Sequence, residues 1–334
     1  MMKTIIIAEA GVNHNGSISK ALKLVDYAAK AKADFIKFQT FSANELVQKK
    51  LTLARYQEIN LKTVTTQFKL LKKYELSETD HRKILKRCRA KKIKFLSSPF
   101  DLKSIDLLQK LKLNIFKIPS GEITNIPYLK KIGSLKKRII LSTGMSNVKE
   151  IQNAIKILRN NGTKKTQISL LHCNTEYPAN PKKLNLLSIK FLKEKFKLVT
   201  GYSDHSEGLL ASLTAVSLGA KIIEKHFTLN KNLKGPDHKA SLSPEELIAL
   251  VRQIRNLEVM LGDNNKKPYK EELENIKYIR KYILAKKAIK KGQFFNNNNL
   301  TTKRSGRGIP AANWHKILGK KSKYNFSPDE NIKI

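Results

Sequence analysis

From residue 4 to residue 261 the chain keeps one rhythm, and that rhythm constrains the fold more than any other feature. Short β-branched or apolar runs alternate with longer amphipathic ones, and the short runs end in polar or glycine-bearing residues. Strands are predicted at 4–8, 35–38, 94–96, 115–118, 139–141, 168–171, 197–202 and 221–224. Helices are predicted at 18–32, 78–91, 102–111, 127–132, 148–160, 184–194, 209–218 and 244–261, the first capped by Ser17. Eight β/α units in about 260 residues have the size and order of an α/β TIM (β/α)8 barrel, which carries its chemistry on the C-terminal ends of apolar strands. A doubly wound sheet is the structural alternative, but no glycine fingerprint follows the first strand. One connection, from the second strand to about residue 77, is too long for a simple link and reads as a lid or binding loop.

Beyond the barrel, assigned to residues 1–262, the sequence turns polar over 263–281, read as a linker with a helical piece. Residues 282–334 form a small unit of short apolar runs and turn signals, expected to pack against a barrel because ~50 residues are marginal alone. The hydrophobic fraction of 40% supplies a sizeable core. No apolar run approaches the ~20 residues needed to cross a bilayer. The N-terminal apolar run breaks at Glu9, which reads as a buried strand and not as a signal peptide. Cys88 and Cys173 lack metal or redox spacing, so free thiols and a cytoplasmic setting are expected. The net charge of +39 raises binding to nucleic acid or another anionic polymer, without catalysis, as a reading of a different class. The basic residues are mostly lysine, scattered along every segment and accompanied by abundant Asn and Ile, which reads as compositional drift. Arginine clusters interleaved with aromatics are lacking, so no nucleic-acid partner is expected.

The stretch 201–227, GYSDHSEGLLASLTAVSLGAKIIEKHF, ends two neighbouring predicted strands in histidine, His205 and His226. Parallel neighbours would bring both to one sheet edge, close enough to hold a single metal ion. The alternative is two hydrogen-bonded structural histidines. As ligands, imidazoles suit Zn, Mn, Fe or Co and leave positions for water and substrate. Asp204 is read either as a residue orienting a histidine or as a turn residue. A barrel would line its mouth with Glu9, Asn13, His14, Lys37, Gln39, Ser98, Lys117, Ser120, Glu122, Ser142, Asn174, Thr175, Tyr177, Ser203, Asp204, His205 and His226. Two strand lysines among hydroxyls make a pocket for a phosphate or carboxylate. A Schiff-base aldolase is the rival, but its lysine stands in apolar company and these stand beside serines. Glu9 and Glu122 are candidates for proton transfer or for holding sugar hydroxyls. Asp237, in Gly235-Pro236-Asp237-His238, is read as a β-turn residue or as part of a loop over the mouth. Arg304 and Arg307 lie in a glycine-bearing loop that is either a surface turn or a lid reaching an anion.

Nine motifs in this order, AEAGVNHNGS, IKFQTF, SSPFD, KIPSGE, LSTGM, HCNTEYP, GYSDHS, EKHFTL and GPDHKAS, resemble the bacterial sialic acid (N-acetylneuraminate) synthases. The sister enzymes making N,N'-diacetyllegionaminic acid look equally similar. The resemblance covers nearly the whole chain, and the last unit looks like the family's antifreeze-like (SAF) domain. It implies a transferase that condenses phosphoenolpyruvate with an N-acetylmannosamine-type sugar and releases phosphate, N-acetylneuraminate synthesis being the first reading. Legionaminate synthesis from 2,4-diacetamido-2,4,6-trideoxymannose is the alternative. It implies a domain-swapped homodimer and a divalent metal on His205 and His226, Mn²⁺ first, with Mg²⁺ or Co²⁺ as alternatives. Phosphoenolpyruvate contacts are implied for Lys37, Ser98, Lys117, Ser120, Ser142, Thr175 and Ser203. Sugar contacts are implied for Glu9, Tyr177 and Asp237, with Arg304 arriving from the second copy, and Glu122 matches the proton-transfer carboxylate.

Two departures stand out. The last loop reads Lys303-Arg304-Ser305-Gly306 where many members have a proline before the glycine, which leaves Arg304 and Arg307 in competition. Ser98 replaces a threonine and keeps the hydroxyl. Pseudaminic acid synthases lack a GPDH-like loop, so that product ranks low. The choice between neuraminic and legionaminic precursors is expected to rest on barrel loops such as residues 43–77.

Overall fold

The computed structural model describes residues 3–53, 58, 61 and 65–334. Eight parallel strands form the barrel: β1 (Ile5–Gly11), β2 (Phe35–Thr40), β3 (Lys94–Pro99), β4 (Ile115–Ile118), β5 (Arg138–Ser142), β6 (Ile168–Cys173), β7 (Val199–Asp204) and β8 (Ile222–His226). Their hydrogen-bonded order is β3-β2-β1-β8-β7-β6-β5-β4, and β3 and β4 lie side by side at the remaining seam. Around them run α1 (Ile18–Lys30), α4 (Glu78–Ala90), α5 (Leu102–Lys110), α6 (Ile126–Ser134), α7 (Val148–Asn160), α8 (Ser188–Phe196), α9 (Leu210–Ser217) and α10 (Pro244–Met260). The long connection after β2 contributes α2 (Ala43–Leu46) and α3 (Gln67–Tyr74). The rest of that predicted lid, residues 54–57, 59–60 and 62–64, lies outside the described residues.

Helix starts are written locally. Ser17 caps α1, and capping boxes open α4 (Ser77 with Asp80), α7 (Asn147 with Glu150) and α10 (Ser243 with Glu246, Pro244 in the first turn). Most strands run two or three residues further than predicted, because their polar C-terminal residues still pair in the ladder. The seventh begins later than predicted, since Lys197 closes α8 in the left-handed region at φ 51°.

Strand alternation divides the interior by height. Ile7, Phe35, Leu96, Ile140, Leu171 and Ile222 meet inside the barrel as an apolar plug. Two residues further along several strands the same inward face becomes polar: Glu9, Lys37, Ser98, Ser142, Cys173 and Glu224. Outward residues such as Ile6, Ala8, Ile36 and Ile223 join the helix-facing core. The site therefore has a rigid apolar floor.

A second compact unit covers Asn264–Ile334. It contains α11 (Lys270–Ile279), an antiparallel pair β9 (Tyr282–Ala285) and β10 (Leu300–Lys303), and α12 (Trp314–Ile317). Its core includes Ile283, Ile289, Phe295, Leu300, Phe326 and Ile332. No helix among the described residues is long and apolar enough to cross a membrane.

The plug leaves no room at Gly201. A Cβ there would stand 2.3 Å from the Ile222 carbonyl oxygen and 2.7 Å from Leu171 Cδ2. Gly201→Ala is expected to destabilise the barrel by about 1–3 kcal/mol through overpacking. The denaturant midpoint measures this, and an unchanged midpoint would mean that the plug is not tightly packed.

Candidate active site

Register assembles the site. Glu9 pairs with Lys37 on one side and with His226 on the other, and Ser203 pairs with Glu224. Paired residues in neighbouring strands face the same way, so these side chains converge inside the barrel. Gly11, at φ 52°, lets β1 turn away where a Cβ would come within 3.2 Å of His226 Cε1.

The centre is a buried charge network. Lys37 Nζ lies 2.8 Å from Glu9 Oε1 and 3.7 Å from Glu224 Oε2, and Lys117 Nζ lies 3.6 Å from Glu224 Oε1. Lys37 donates to Ser98 Oγ (3.2 Å), Lys117 donates to Ser142 Oγ, and Ser203 Oγ donates to Glu224 Oε1 (2.9 Å). Burial alone would raise the Glu224 pKa, but Lys117 and Lys37 overcome it and hold this carboxyl below its usual range. Burial lowers Lys37, and Glu224 and Glu9 more than offset it, so its pKa ends raised. Burial dominates at Lys117, whose pKa is lowered. It dominates at Glu9 too, pushing that carboxyl up to about 7 against the pull of Lys37. Glu224 is thus the ionised partner of both lysines, and Glu9 is the carboxyl that can shed its charge near neutrality.

Beside the network, the His205 and His226 rings lie 5.4 Å apart, and the Tyr177 ring is 4.1 Å from His205. His205 Nδ1 bonds the Asn174 carbonyl oxygen, and its Nε2 lies 3.4 Å from Ser203 Oγ. His226 Nδ1 is buried without a hydrogen-bond partner, 4.0 Å from Asp237 Oδ2. Burial lowers both imidazoles, His205 to about 4 and His226 well below its ordinary value, with His205 adding to the effect on His226. Burial likewise raises Asp237 to about 7. Two neutral imidazoles, one with an unsatisfied nitrogen, beside a carboxyl form a nitrogen and oxygen donor set that fits a divalent cation. Among the described residues no three His, Cys, Asp or Glu side chains converge on one metal-sized point. The fit therefore rests on the histidine pair.

These groups line one cavity of about 590 Å³, together with Ser120, Glu122, Thr175, Tyr177 and Asp237. Ser120 Oγ accepts from the Gly144 N–H (3.0 Å) and lies 3.2 Å from Cys173 Sγ. Glu122 accepts from Asn125 Nδ2 (2.6 Å), and burial raises its pKa. Every barrel residue expected from the sequence to act in the site reaches this cavity.

Four members of the expected mouth lining do not, one of them Asn174, whose Nδ2 donates to the Lys183 carbonyl (3.0 Å). Asp204 faces the helix layer, where it accepts from Ser206 and Ser212 and pairs with Lys225 at 3.0 Å, so it orients neither histidine. Asn13 donates to the Phe227 carbonyl and to Ser241 Oγ, and His14 accepts from the Gly16 N–H and packs by Phe38. They lie past the bend at Gly11, beyond the reach of strand alternation. Sequence reading missed Glu224 and Cys173, although Glu224 stands two residues before His226, the step that also links Ser203 to His205. Arg304 and Arg307 belong to the second unit, where both are exposed.

A family profile for the NeuB family matches residues 24–266. The chain belongs to the NeuB family. A SAF domain profile matches residues 280–333. Over 333 residues this NeuB-family chain is 52% identical to the N,N'-diacetyllegionaminic acid synthase of Campylobacter jejuni, covering 100% of both chains. It is 42% identical to the enzyme of the same name from Legionella pneumophila, covering 98% of this chain and 92% of the other. Among solved structures, the N-acetylneuraminic acid (sialic acid) synthetase of Leptospira borgpetersenii, in complex with citrate, superposes with a TM-score of 0.72 at 35% identity. That match covers 83% of this chain and 91% of the other. The TIM barrel and SAF assignments made from the sequence hold.

The buried histidines set a pH dependence. His14, His205 and His238 are lowered to about 4, and His81, His172 and His226 are lowered too, all chiefly by burial. As pH falls below 6.5 the unfolded chain takes up protons on these six more readily than the folded chain does, so stability is lost as pH falls. Glu9, Asp237 and Glu122, all raised, act in the opposite sense over the same range but are fewer. Each net proton is worth about 1.4 kcal/mol per pH unit. Thermal unfolding in chelated buffer is expected to move to lower temperature from pH 6.5 to pH 5. A flat or rising Tm would show that these histidines can charge in the folded state.

Proposed function

We propose that this chain is an N,N'-diacetyllegionaminate synthase, condensing phosphoenolpyruvate with 2,4-diacetamido-2,4,6-trideoxymannose and releasing phosphate. The observation that carries the reaction class is the pair Lys37 and Lys117, held with serine hydroxyls on the floor of the cavity that also presents His205 and His226. The sugar is chosen over N-acetylmannosamine, the first expectation, because of the 52% identity to a synthase of the diacetylated product across the full chain.

Lys37 and Lys117, with Ser98, Ser142, Ser120, Thr175 and Ser203, hold the phosphoenolpyruvate anion. Glu9 accommodates the added charge by taking a proton. Fixing C3 of the anion against C1 of the open-chain sugar contributes roughly 7–11 kcal/mol by proximity and orientation. His205 and His226 would hold a divalent cation, Mn²⁺ first, which supplies Lewis-acid polarisation of the sugar aldehyde when bound. The new carbon–carbon bond leaves C2 electron-poor, water adds there, and phosphate departs. Glu122 is the carboxyl that moves the proton. Tyr177 and Asp237 hold the sugar. Arg304 of a second copy enters the barrel in a domain-swapped homodimer, its exposure within its own unit being consistent with that role. The setting is cytoplasmic, supported by two buried unpaired cysteines.

A Schiff-base aldolase draws one observation, the lowered Lys117 pKa. The Ser142 and Glu224 partners of that lysine favour anion binding. Borohydride treatment with pyruvate is therefore expected to leave the chain unmodified.

The test is phosphate release from phosphoenolpyruvate, with and without Mn²⁺, across N-acetylmannosamine and its 2,4-diacetamido-6-deoxy analogue. Release is expected to depend on metal and to be faster with the diacetamido sugar, and His226→Ala is expected to abolish it. Full activity of that variant in chelated buffer would sink the metal assignment, and faster release with N-acetylmannosamine would sink the choice of sugar.

A further inference from the structure

α2 and α3 add nothing to the ring of strands, yet they help build a hydrophobic cluster of their own. Phe41, Leu70 and Tyr74 are buried there with Val12, and Leu71 and Phe100 pack against them. All six also line the catalytic cavity. The cavity therefore has two unlike sides: a floor of lysine, glutamate, serine and histidine, and an apolar wall. On α2 and α3 the polar lining groups among the described residues are the Gln67 amide and the Tyr74 hydroxyl. Lys37 and Lys117 are the cations of the lining among the described residues, and carboxylates engage both.

Chemistry fixes which end of a sugar meets which side. The aldehyde carbon must reach the anion on the lysine floor, beside the histidines. The distal carbons then turn towards the remaining lining. Away from the Gln67 amide and the Tyr74 hydroxyl, a hydroxyl pressed on this wall would lose water and gain no partner among the described residues, whereas a methyl would gain contact. A phosphate there would meet no uncommitted cation among the described lining residues.

We infer that the wall built by Phe41, Leu70, Leu71 and Tyr74 with Val12 and Phe100 is the specificity element of the site, selecting a sugar whose C6 is a methyl group. This rests on the synthase reading above and adds to it the side chains that read the substrate.

The experiment compares two sugars that differ only at that carbon, 2,4-diacetamido-2,4,6-trideoxymannose and 2,4-diacetamido-2,4-dideoxymannose, by kcat/KM for phosphate release with phosphoenolpyruvate and Mn²⁺. The wild-type chain is expected to prefer the deoxy sugar by about 100-fold, the discrimination that an apolar pocket exerts against an added hydroxyl. Leu71→Asn supplies that hydroxyl with a partner and is expected to bring the ratio below about tenfold, while Leu71→Met retains it. Being a ratio, the readout is insensitive to a general loss of activity, and the wild-type comparison needs no variant to fold. A wild-type ratio near one, or a ratio that Leu71→Asn leaves unchanged, would overturn the inference. Absence of phosphate release with every sugar would instead overturn the synthase reading beneath it.

Discussion

Everything in the catalytic half of this protein depends on one buried arrangement: the Glu224 carboxylate shared by Lys37 and Lys117 above an apolar plug. Charges so placed are costly unless each is paired, and removing one partner from a buried pair typically costs 3–5 kcal/mol. Here the pairing comes from three strands, β2, β4 and β8, so the network forms only when the barrel closes. The plug of Ile7, Phe35, Leu96, Ile140, Leu171 and Ile222 excludes solvent from below. Low surrounding polarity strengthens each remaining charge interaction. It also makes Glu9 and Asp237 poor acids and the two histidines poor bases. One constraint thus produces a floor of paired lysines, two carboxyls poised near neutrality and two imidazoles kept neutral.

The helix side holds the same strands in register by other means. Lys225 and Asp204 form a fully buried pair there, and the Asp204 carboxylate also accepts from Ser206 and Ser212. This ties together the ends of β7 and β8, the two strands that lead to His205 and His226. Alternation thus sends one set of charges inward to the chemistry and another outward to the scaffold. The large net charge takes no part in either, because among the described residues the remaining lysines are exposed or half-buried.

The fold was legible because its signals are local. Caps such as Ser77, Asn147 and Ser243, and apolar runs of strand length, fix where elements begin and what faces they present. Most of the site was legible for a related reason: the C-terminal end of a barrel strand is the place where polar residues have a use. Legibility failed at Asn13, His14, Asn174 and Asp204. All four lie at or just past strand ends and look like mouth residues, but pleat direction, the bend at Gly11 and, for Asn174, the Lys183 carbonyl turn them elsewhere. Glu224 was missed because it was read as the last residue of a strand, when the two-residue step from His226 marks it as inward-facing. The long connection was read as a lid or binding loop and as a place of sugar choice, but its apolar lining was not, since nothing local shows that Phe41, Leu70 and Tyr74 face the cavity.

The sequence by itself determined the eight-fold β/α order, the chemical types at the strand ends, the SAF-like second unit and membership of a synthase family. These follow from periodicity and motif order, which survive without knowledge of any distance. Only the tertiary structure decided that Glu224 is the hub of both lysines, that Asp204 serves the scaffold, and that the cavity has an apolar side. Closing a barrel sets side chains from distant strands within a few ångströms of each other, and whether a residue faces the cavity or the helices is fixed by pleat and register across strands, which no local stretch of sequence encodes.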